Sequence, residues 1–139
     1  MNIKYFVSYL GLVPFILLII DGYFLGMLDI NFIINLSIMM ACIIFTFIGA
    51  YNWNFEKDNT FLEVYGFMPS LISMIILLLN IFKFNQTSLI LFLIMFLLVQ
   101  LLIDFYRTLK CTFPMRYFIK LRLPVTSTLC VSLLIISYL

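Results

Sequence analysis

Long apolar runs dominate the chain, and only short polar segments separate them. A helix that crosses a membrane needs about 20 predominantly apolar residues, and five runs come close to that length. The pattern therefore predicts an all-α membrane protein, a bundle of about five transmembrane helices in a single domain over residues 1–139. The predicted spans are 5–28, 32–53, 65–82, 87–104 and 122–139.

Prolines are expected to modify three of these helices. Pro14 should bend the first helix. Thr60 and Glu63 have the spacing of a capping box, so the third helix can start early, and Pro69 then either kinks it or separates a short interfacial helix from the span. Pro124 falls in the first turn of the last helix, where its missing N–H costs nothing. Because that last run is short, an earlier start is left open.

Small residues recur at helical spacing in the first two spans. Gly22 and Gly26 form a GxxxG pair that favours close approach of another helix, although a flexible helix end is the alternative. Cys42, Thr46 and Ala50 repeat every four residues and predict a packing face on the second helix, within the chain or against a partner.

Composition agrees with a lipid environment and excludes several kinds of chemistry. Hydrophobic residues make up 65% of the chain and charged residues 10%, against about 45–50% and about 25% in soluble domains. There is no histidine, and the three cysteines are far apart. We therefore predict no catalytic residue, no cofactor, no metal and no disulfide. The net charge of +2 is too small to indicate nucleic acid as a partner.

The basic residues predict an orientation. With five spans, the N-terminus, the second loop and the fourth loop lie on one side of the membrane, and Lys83 lies alone on the other. Because Lys and Arg accumulate in inner loops, the N-terminus is expected inside (cytoplasm or matrix) and the C-terminus outside. The residues on the inner side are Lys4, Lys57, Arg107, Lys110, Arg116, Lys120 and Arg122.

Polar residues at the inner end of the fourth span are the main candidates for chemistry. Gln100, Asp104 and Arg107 share one helical face by their spacing. They could form a polar pocket for protons or headgroups. The favoured alternative is a structural clamp in which Asp104 pairs with Arg107 or Arg122, because a charge at the membrane edge is solvated at low cost.

The fourth loop is strongly basic and has two compatible interpretations. It could bind the headgroups of anionic lipids such as cardiolipin, or it could serve only as a topological signal. The candidate headgroup ligands are Arg107, Lys110, Arg116, Lys120 and Arg122.

Several short motifs, in order along the chain, resemble a known family. They are Tyr9–Phe15, Gly49–Trp53, Met68–Leu71 and an ending with Gln100, Asp104, Pro114–Tyr117 and Leu121–Thr126. The chain resembles a small membrane-protein family of unknown function found in proteobacteria and in mitochondria, where the member is called transmembrane protein sixty-nine. The resemblance implies a five-span protein of a bacterial or mitochondrial inner membrane, and it implies no activity.

Two positions depart from the family pattern. Asn52 stands where the family usually has a histidine, and Arg116 stands where it tends to have tryptophan. Any proton or ligand role of that histidine is lost here, which favours a structural role. The candidates for a structural or polar cluster are Gln100, Asp104, Arg107, Arg122, Trp53, Asn52 and Pro69.

These observations lead to two principal hypotheses for function. The first is a non-catalytic accessory subunit or assembly factor of a larger inner-membrane complex, such as a respiratory complex, with membrane lipids and other membrane-protein subunits as partners. The alternative is a small transporter of a solute or of protons that uses the polar face of Gln100 and Asp104. A membrane enzyme that acts on lipids is the least favoured, because no nucleophile or base is evident at the interface.

Overall fold

The computed structural model describes residues 3–50, 60–111 and 113–139. Within those ranges the chain is helical, with short turns and no strand. Its helices are α1 (Ile3–Leu10), α2 (Val13–Ile20), α3 (Ile30–Ala50), α4 (Thr60–Ile81), α5 (Gln86–Leu109), α6 (Met115–Tyr117) and α7 (Leu123–Ser137). One π-helical turn, Asp21–Leu25, extends α2, and a second, Phe118–Arg122, joins α6 to α7.

Five segments of the described chain are long and apolar enough to cross a membrane, which confirms the predicted all-α architecture. In chain order these five spans are Tyr5–Leu25, Ile30–Ala50, Val64–Ile81, Gln86–Leu109 and Met115–Ser137. The fourth span continues to Leu109 instead of ending at 104. Its polar residues Asp104 and Thr108 are buried against neighbouring helices, so the helix does not end where the apolar run ends.

The first span is interrupted at the predicted place. Pro14 lies in the first turn of α2, and residues 11 and 12 form a turn between α1 and α2. The Leu12 N–H donates to the backbone oxygen of Tyr9, three residues earlier, at 3.0 Å. This turn is therefore wound more tightly than an α-helix, in which the spacing is four residues. Pro69, by contrast, lies inside a continuous α4, so the alternative of a separate interfacial helix is wrong. Helix α4 begins at Thr60, as an early start requires.

The two glycines at the end of the first span differ in their surroundings. A Cβ on Gly22 would lie 2.7 Å from a side-chain carbon of Leu139, so the predicted close approach occurs there, whereas Gly26 has φ +62° and a Cβ on it would meet no atom within 4 Å. A left-handed glycine closes the π-helical turn by donating its N–H to the Asp21 oxygen. The buried Asp21 carboxylate in turn accepts the N–H groups of Met27 and Leu28 at 3.3 and 2.9 Å.

Helices α3 and α4 approach closely through small residues. A Cβ at Gly49 would lie 2.5 and 2.7 Å from two ring carbons of Pro69, so only glycine fits between them. One helical turn after Pro69, the Ser73 hydroxyl of α4 donates to the Cys42 carbonyl of α3 at 3.1 Å. The predicted packing face of α3 is therefore used within the chain at Cys42, whereas Ala50 is exposed.

The last span starts earlier than residue 122, which is the alternative that the sequence left open. It begins at Met115, so Pro124 lies inside a longer helical segment, directly after a π-helical turn. A proline nitrogen has no hydrogen, so the carbonyl of Lys120, four residues earlier, lacks its α-helical donor. The Tyr9 hydroxyl donates to that oxygen at 2.7 Å. The first and last spans are thereby joined at the site of the proline.

The apolar core lies where α2, α3, α5 and α7 meet, and α4 packs on its α3–α5 side. A second tyrosine, Tyr23, donates to the Ile135 carbonyl at 3.1 Å and joins the first and last spans at their other end. The largest fully buried side chains are Phe15, Phe45, Ile33, Ile38, Leu89, Ile90, Leu93, Leu97, Leu129, Leu133 and Ile136.

We predict that Gly49→Ala destabilises the bundle by about 1–3 kcal/mol, because the added methyl overpacks the contact with Pro69. Chemical unfolding in detergent measures the loss. Gly11→Ala is the matched control, since its Cβ would meet only the Ser8 oxygen at 3.4 Å, an ordinary contact. Equal stability of Gly49→Ala and the wild type would contradict the proposed close packing.

Candidate functional site at the basic end of the bundle

One end of the bundle carries most of the described positive charge. We call it the basic end: residues 107–122 of the described chain together with the first turns of α1. Its two parts are in contact, because the Tyr5 and Tyr117 rings lie 6.1 Å apart and Tyr9 bonds to Lys120. The opposite end holds Gly26, Lys83 and Tyr138.

A buried ion pair lies just inside the basic end. An Nη atom of Arg122 lies 3.0 Å from a carboxylate oxygen of Asp104, and the two residues are 6% and 1% exposed. The same Arg122 nitrogen donates to the Ile48 carbonyl at 3.2 Å. We call these three residues the clamp. It joins α5, the start of the last span and the last turn of α3.

The local helix geometry explains why these side chains meet. Asp104 follows Gln100 by four residues on α5, so both lie on the buried face of that helix. Arg122 is the last residue of the π-helical turn, whose wider winding buries Leu121 and Arg122 together. The Ile48 carbonyl lies near the C-terminal end of α3, where backbone dipoles favour a cation. Of the two pairings predicted for Asp104, the structure shows the one with Arg122.

Gln100 lies close by but outside the clamp. It is 4% exposed, and its side-chain nitrogen has no hydrogen-bond partner among the described residues. The Tyr65 hydroxyl of α4 points to the Gln100 backbone oxygen at 3.5 Å, the upper limit for such a bond. Tyr65 thus brings α4 next to Gln100 of α5, one helical turn before the point where Pro69 packs on Gly49 of α3.

Arg107 is directed toward the loop and its aromatic residues. Its guanidinium lies 5.4 Å from the centre of the Phe113 ring, and Phe113 itself is buried. Phe113 meets Tyr117 edge-on at 5.5 Å, and Tyr117 meets Tyr5. This contact chain holds the residues before the last span against α1.

The remaining basic candidates are at the surface. Arg116 and Lys120 are exposed, and Lys110 is exposed with its ammonium 4.6 Å from the centre of the Tyr106 ring. Arg122, which the sequence assigned both to the polar cluster and to headgroup binding, is in the clamp. Asn52 and Trp53 lie outside the described residues.

Sequence reasoning missed three partners at this end. No signal pointed to the Ile48 carbonyl, because a backbone acceptor has no residue type. Gly49 was noted only within the Gly49–Trp53 motif, without a packing role, because a glycine fits many roles. Tyr9 was detectable in principle, since Pro124 leaves the Lys120 carbonyl in need of a donor.

Within the described ranges, no three of the histidine, cysteine, aspartate and glutamate side chains lie close enough to hold a metal ion. Comparisons with models of known protein families, with curated proteins and with solved structures found no match. The function proposed below is therefore inferred from the geometry of the basic end.

We predict that Asp104→Leu and Arg122→Met each destabilise the protein by roughly 3–5 kcal/mol, because each leaves a buried charge without its counterion. The double variant should be more stable than either single variant, since it leaves neither charge behind. Unfolding of all three in mixed micelles completes a double-mutant cycle.

The control for this cycle is Lys110→Met, which removes an exposed charge at the same end and should change stability by less than about 0.5 kcal/mol. A double variant no more stable than the weaker of the two single variants would show that the pair is not a clamp.

Proposed function

We propose that the protein is a non-catalytic integral membrane protein that serves as an accessory subunit or assembly factor of a larger inner-membrane complex, with a respiratory complex as the first candidate. The observation that carries the proposal is the clamp. Asp104 pairs with Arg122, and Arg122 also bonds to the Ile48 carbonyl, so the three helical segments are held together. The buried Asp104 carboxylate therefore has a structural role.

A carrier would use such a carboxylate differently. A group that exchanges protons or cations must alternate between charged and neutral forms and must meet water from each side in turn. Asp104 is 1% exposed and pairs with an arginine, which stays protonated at all relevant pH values. This arrangement favours a fixed geometry.

The outer surface of the helices supports docking of other membrane subunits. Helix α4 packs on α3 and α5, and its other face exposes Phe67, Met74, Ile75 and Leu78. Association of helices in lipid depends on close van der Waals packing and small residues, because lipid and protein surfaces are equally apolar. A partner helix can therefore replace lipid on such a face without loss of polar contacts.

The proposed setting is a bacterial or mitochondrial inner membrane with the basic end inside. The resemblance to the family of transmembrane protein sixty-nine and the distribution of basic residues support it. We also propose that anionic headgroups, such as those of cardiolipin, bind at the exposed Lys110, Arg116 and Lys120.

The orientation can be tested with the cysteines that the chain already has. Cys111 is exposed at the basic end, whereas Cys42 and Cys130 are buried. We predict that a membrane-impermeant maleimide labels Cys111 only from the inner side of sealed vesicles. A Lys83→Cys, Cys111→Ser variant is the control and should be labelled only from the outer side. The reverse pattern would overturn the proposed orientation.

One observation favours the alternative, a small transporter of a solute or of protons. The buried side-chain nitrogen of Gln100 has no partner among the described residues, and buried donors without a partner are rare unless they serve a ligand or water. The two hypotheses differ in what loss of the Asp104 charge should do.

For the leading proposal, we predict that the tagged protein, solubilised in mild detergent, migrates with a large complex on a native gel in stoichiometric amounts by mass spectrometry. Asp104→Asn should reduce this co-migration at least severalfold, because it leaves Arg122 buried without its counterion. Asp29→Asn, at an exposed aspartate of the opposite end, is the control and should leave co-migration unchanged.

Migration of the wild type alone, or only with itself, would overturn the accessory-subunit proposal. Intact assembly of Asp104→Asn together with loss of solute or proton flux would favour the transporter.

A further inference from the structure

A cavity of about 430 Å³ opens on the side of the bundle near the basic end. It lies between the first span, α3 and the start of the last span. Apolar residues form most of its lining, and Val7, Ile43 and Phe47 on its rim are exposed, so the cavity is accessible from outside the bundle.

The break in the first span creates this space. Gly11 lines the cavity at the turn between α1 and α2, and it presents no side chain there. A Cβ built on Gly11 would meet nothing closer than the Ser8 oxygen at 3.4 Å. The volume is in the range of about 300–1,000 Å³ that is typical of small-molecule sites, and the apolar lining suits a hydrocarbon chain.

Positive charge adjoins the cavity on one side. Tyr117, Leu121 and Arg122 line it, and the exposed Arg116 and Lys120 are direct sequence neighbours of the first two. The Arg122 charge is matched by Asp104. Arg116 and Lys120 have no carboxylate within salt-bridge distance among the described residues, so their charges can attract an external anion.

We propose that this cavity holds one acyl chain of an anionic phospholipid, with the phosphate of that lipid bound by Arg116 and Lys120. The apolar lining and the adjacent cations match the two parts of such a molecule. The proposal rests on the headgroup binding proposed above, and it does not depend on which complex the protein joins, because the site is built by this chain.

A second cavity of the described chain provides an internal comparison. It measures about 210 Å³, lies between α4 and α5, and is lined only by apolar residues, including Ile75, Leu79 and Phe92. No basic residue lines it. The proposal therefore predicts no preference for anionic lipid there.

The test is native mass spectrometry of the full-length protein in mild detergent, titrated with dioleoyl phosphatidylglycerol or dioleoyl phosphatidylcholine. The wild type should retain one phosphatidylglycerol with at least a tenfold preference over phosphatidylcholine, given about fivefold for each basic residue near an anionic surface. Inorganic phosphate should not compete at millimolar concentration, because it lacks the chain.

Two kinds of variant separate the parts of the site. Gly11→Phe, and as a second filling variant Val125→Phe, should lower the retention of phosphatidylglycerol about tenfold. Arg116→Gln with Lys120→Gln should abolish the preference over phosphatidylcholine and leave weak binding of both lipids. Ile75→Phe fills the second cavity, and Lys83→Gln removes a basic residue at the opposite end; both should behave as the wild type.

Each alternative outcome overturns a stated part of the proposal. Unchanged lipid retention in both filling variants, with normal helical circular dichroism, would show that the cavity does not hold the chain. Equal retention of the two lipids by the wild type would exclude recognition of the phosphate charge. Equal losses in the control variants would show that the lipid coats the bundle without a specific site. None of these results alters the co-migration test, which detects protein partners.

Discussion

A carboxylate and a guanidinium lie together inside a helical bundle with an apolar core, and the rest of the architecture follows from keeping them together. Moving one ion out of water costs several kcal/mol even after relaxation, so neither Asp104 nor Arg122 is tolerable in its position without the other. Their contact fixes the level at which α5 and the last span meet. Arg122 also bonds to the Ile48 carbonyl, which places α3 at the same level. The close contact of Gly49 with Pro69 then sets the position of α4.

The helices are also joined by hydrogen bonds in which a side-chain donor on one helix bonds to a backbone carbonyl on another. Tyr9, Tyr23, Ser73 and Arg122 all act in this way. Where water does not reach a carbonyl that a helix leaves unpaired, a neighbouring helix must supply the donor. The bond from Tyr9 to Lys120 shows this directly, because Pro124 removes the ordinary donor. Three of these four bonds involve a residue of a π-helical turn, whereas Ser73 and Cys42 lie in regular α-helix.

The sequence predicted the helical class and the number of candidate spans, because both follow from the length and spacing of apolar runs. It predicted a bend at Pro14 because a proline disturbs a helix wherever it lies, and the structure has a turn there. It placed the end of the fourth span too early, since a buried Asp104 looks the same in sequence as an aspartate at a membrane edge. It was right about close packing at Gly22 and wrong at Gly26, because a glycine that caps a turn has the same spacing as one that packs. The contact of Asp104 with Arg122, one of the two pairings that the sequence left open, and the cavity beside Gly11 depend on how whole helices are arranged, which no local pattern encodes.

The bond between Tyr9 and Lys120 has a consequence for how the protein is made. The two residues are 111 positions apart, and ribosomes add about 5–20 residues per second, so roughly 5–20 s pass between the synthesis of donor and acceptor. Asp104 likewise emerges before Arg122. During translation the early helices thus lack both the hydrogen bond and the counterion that close the bundle. At this stage the early helices have their apolar contacts and the Ser73–Cys42 bond. The last span then adds the bonds to Tyr9 and Tyr23 and the counterion of Asp104.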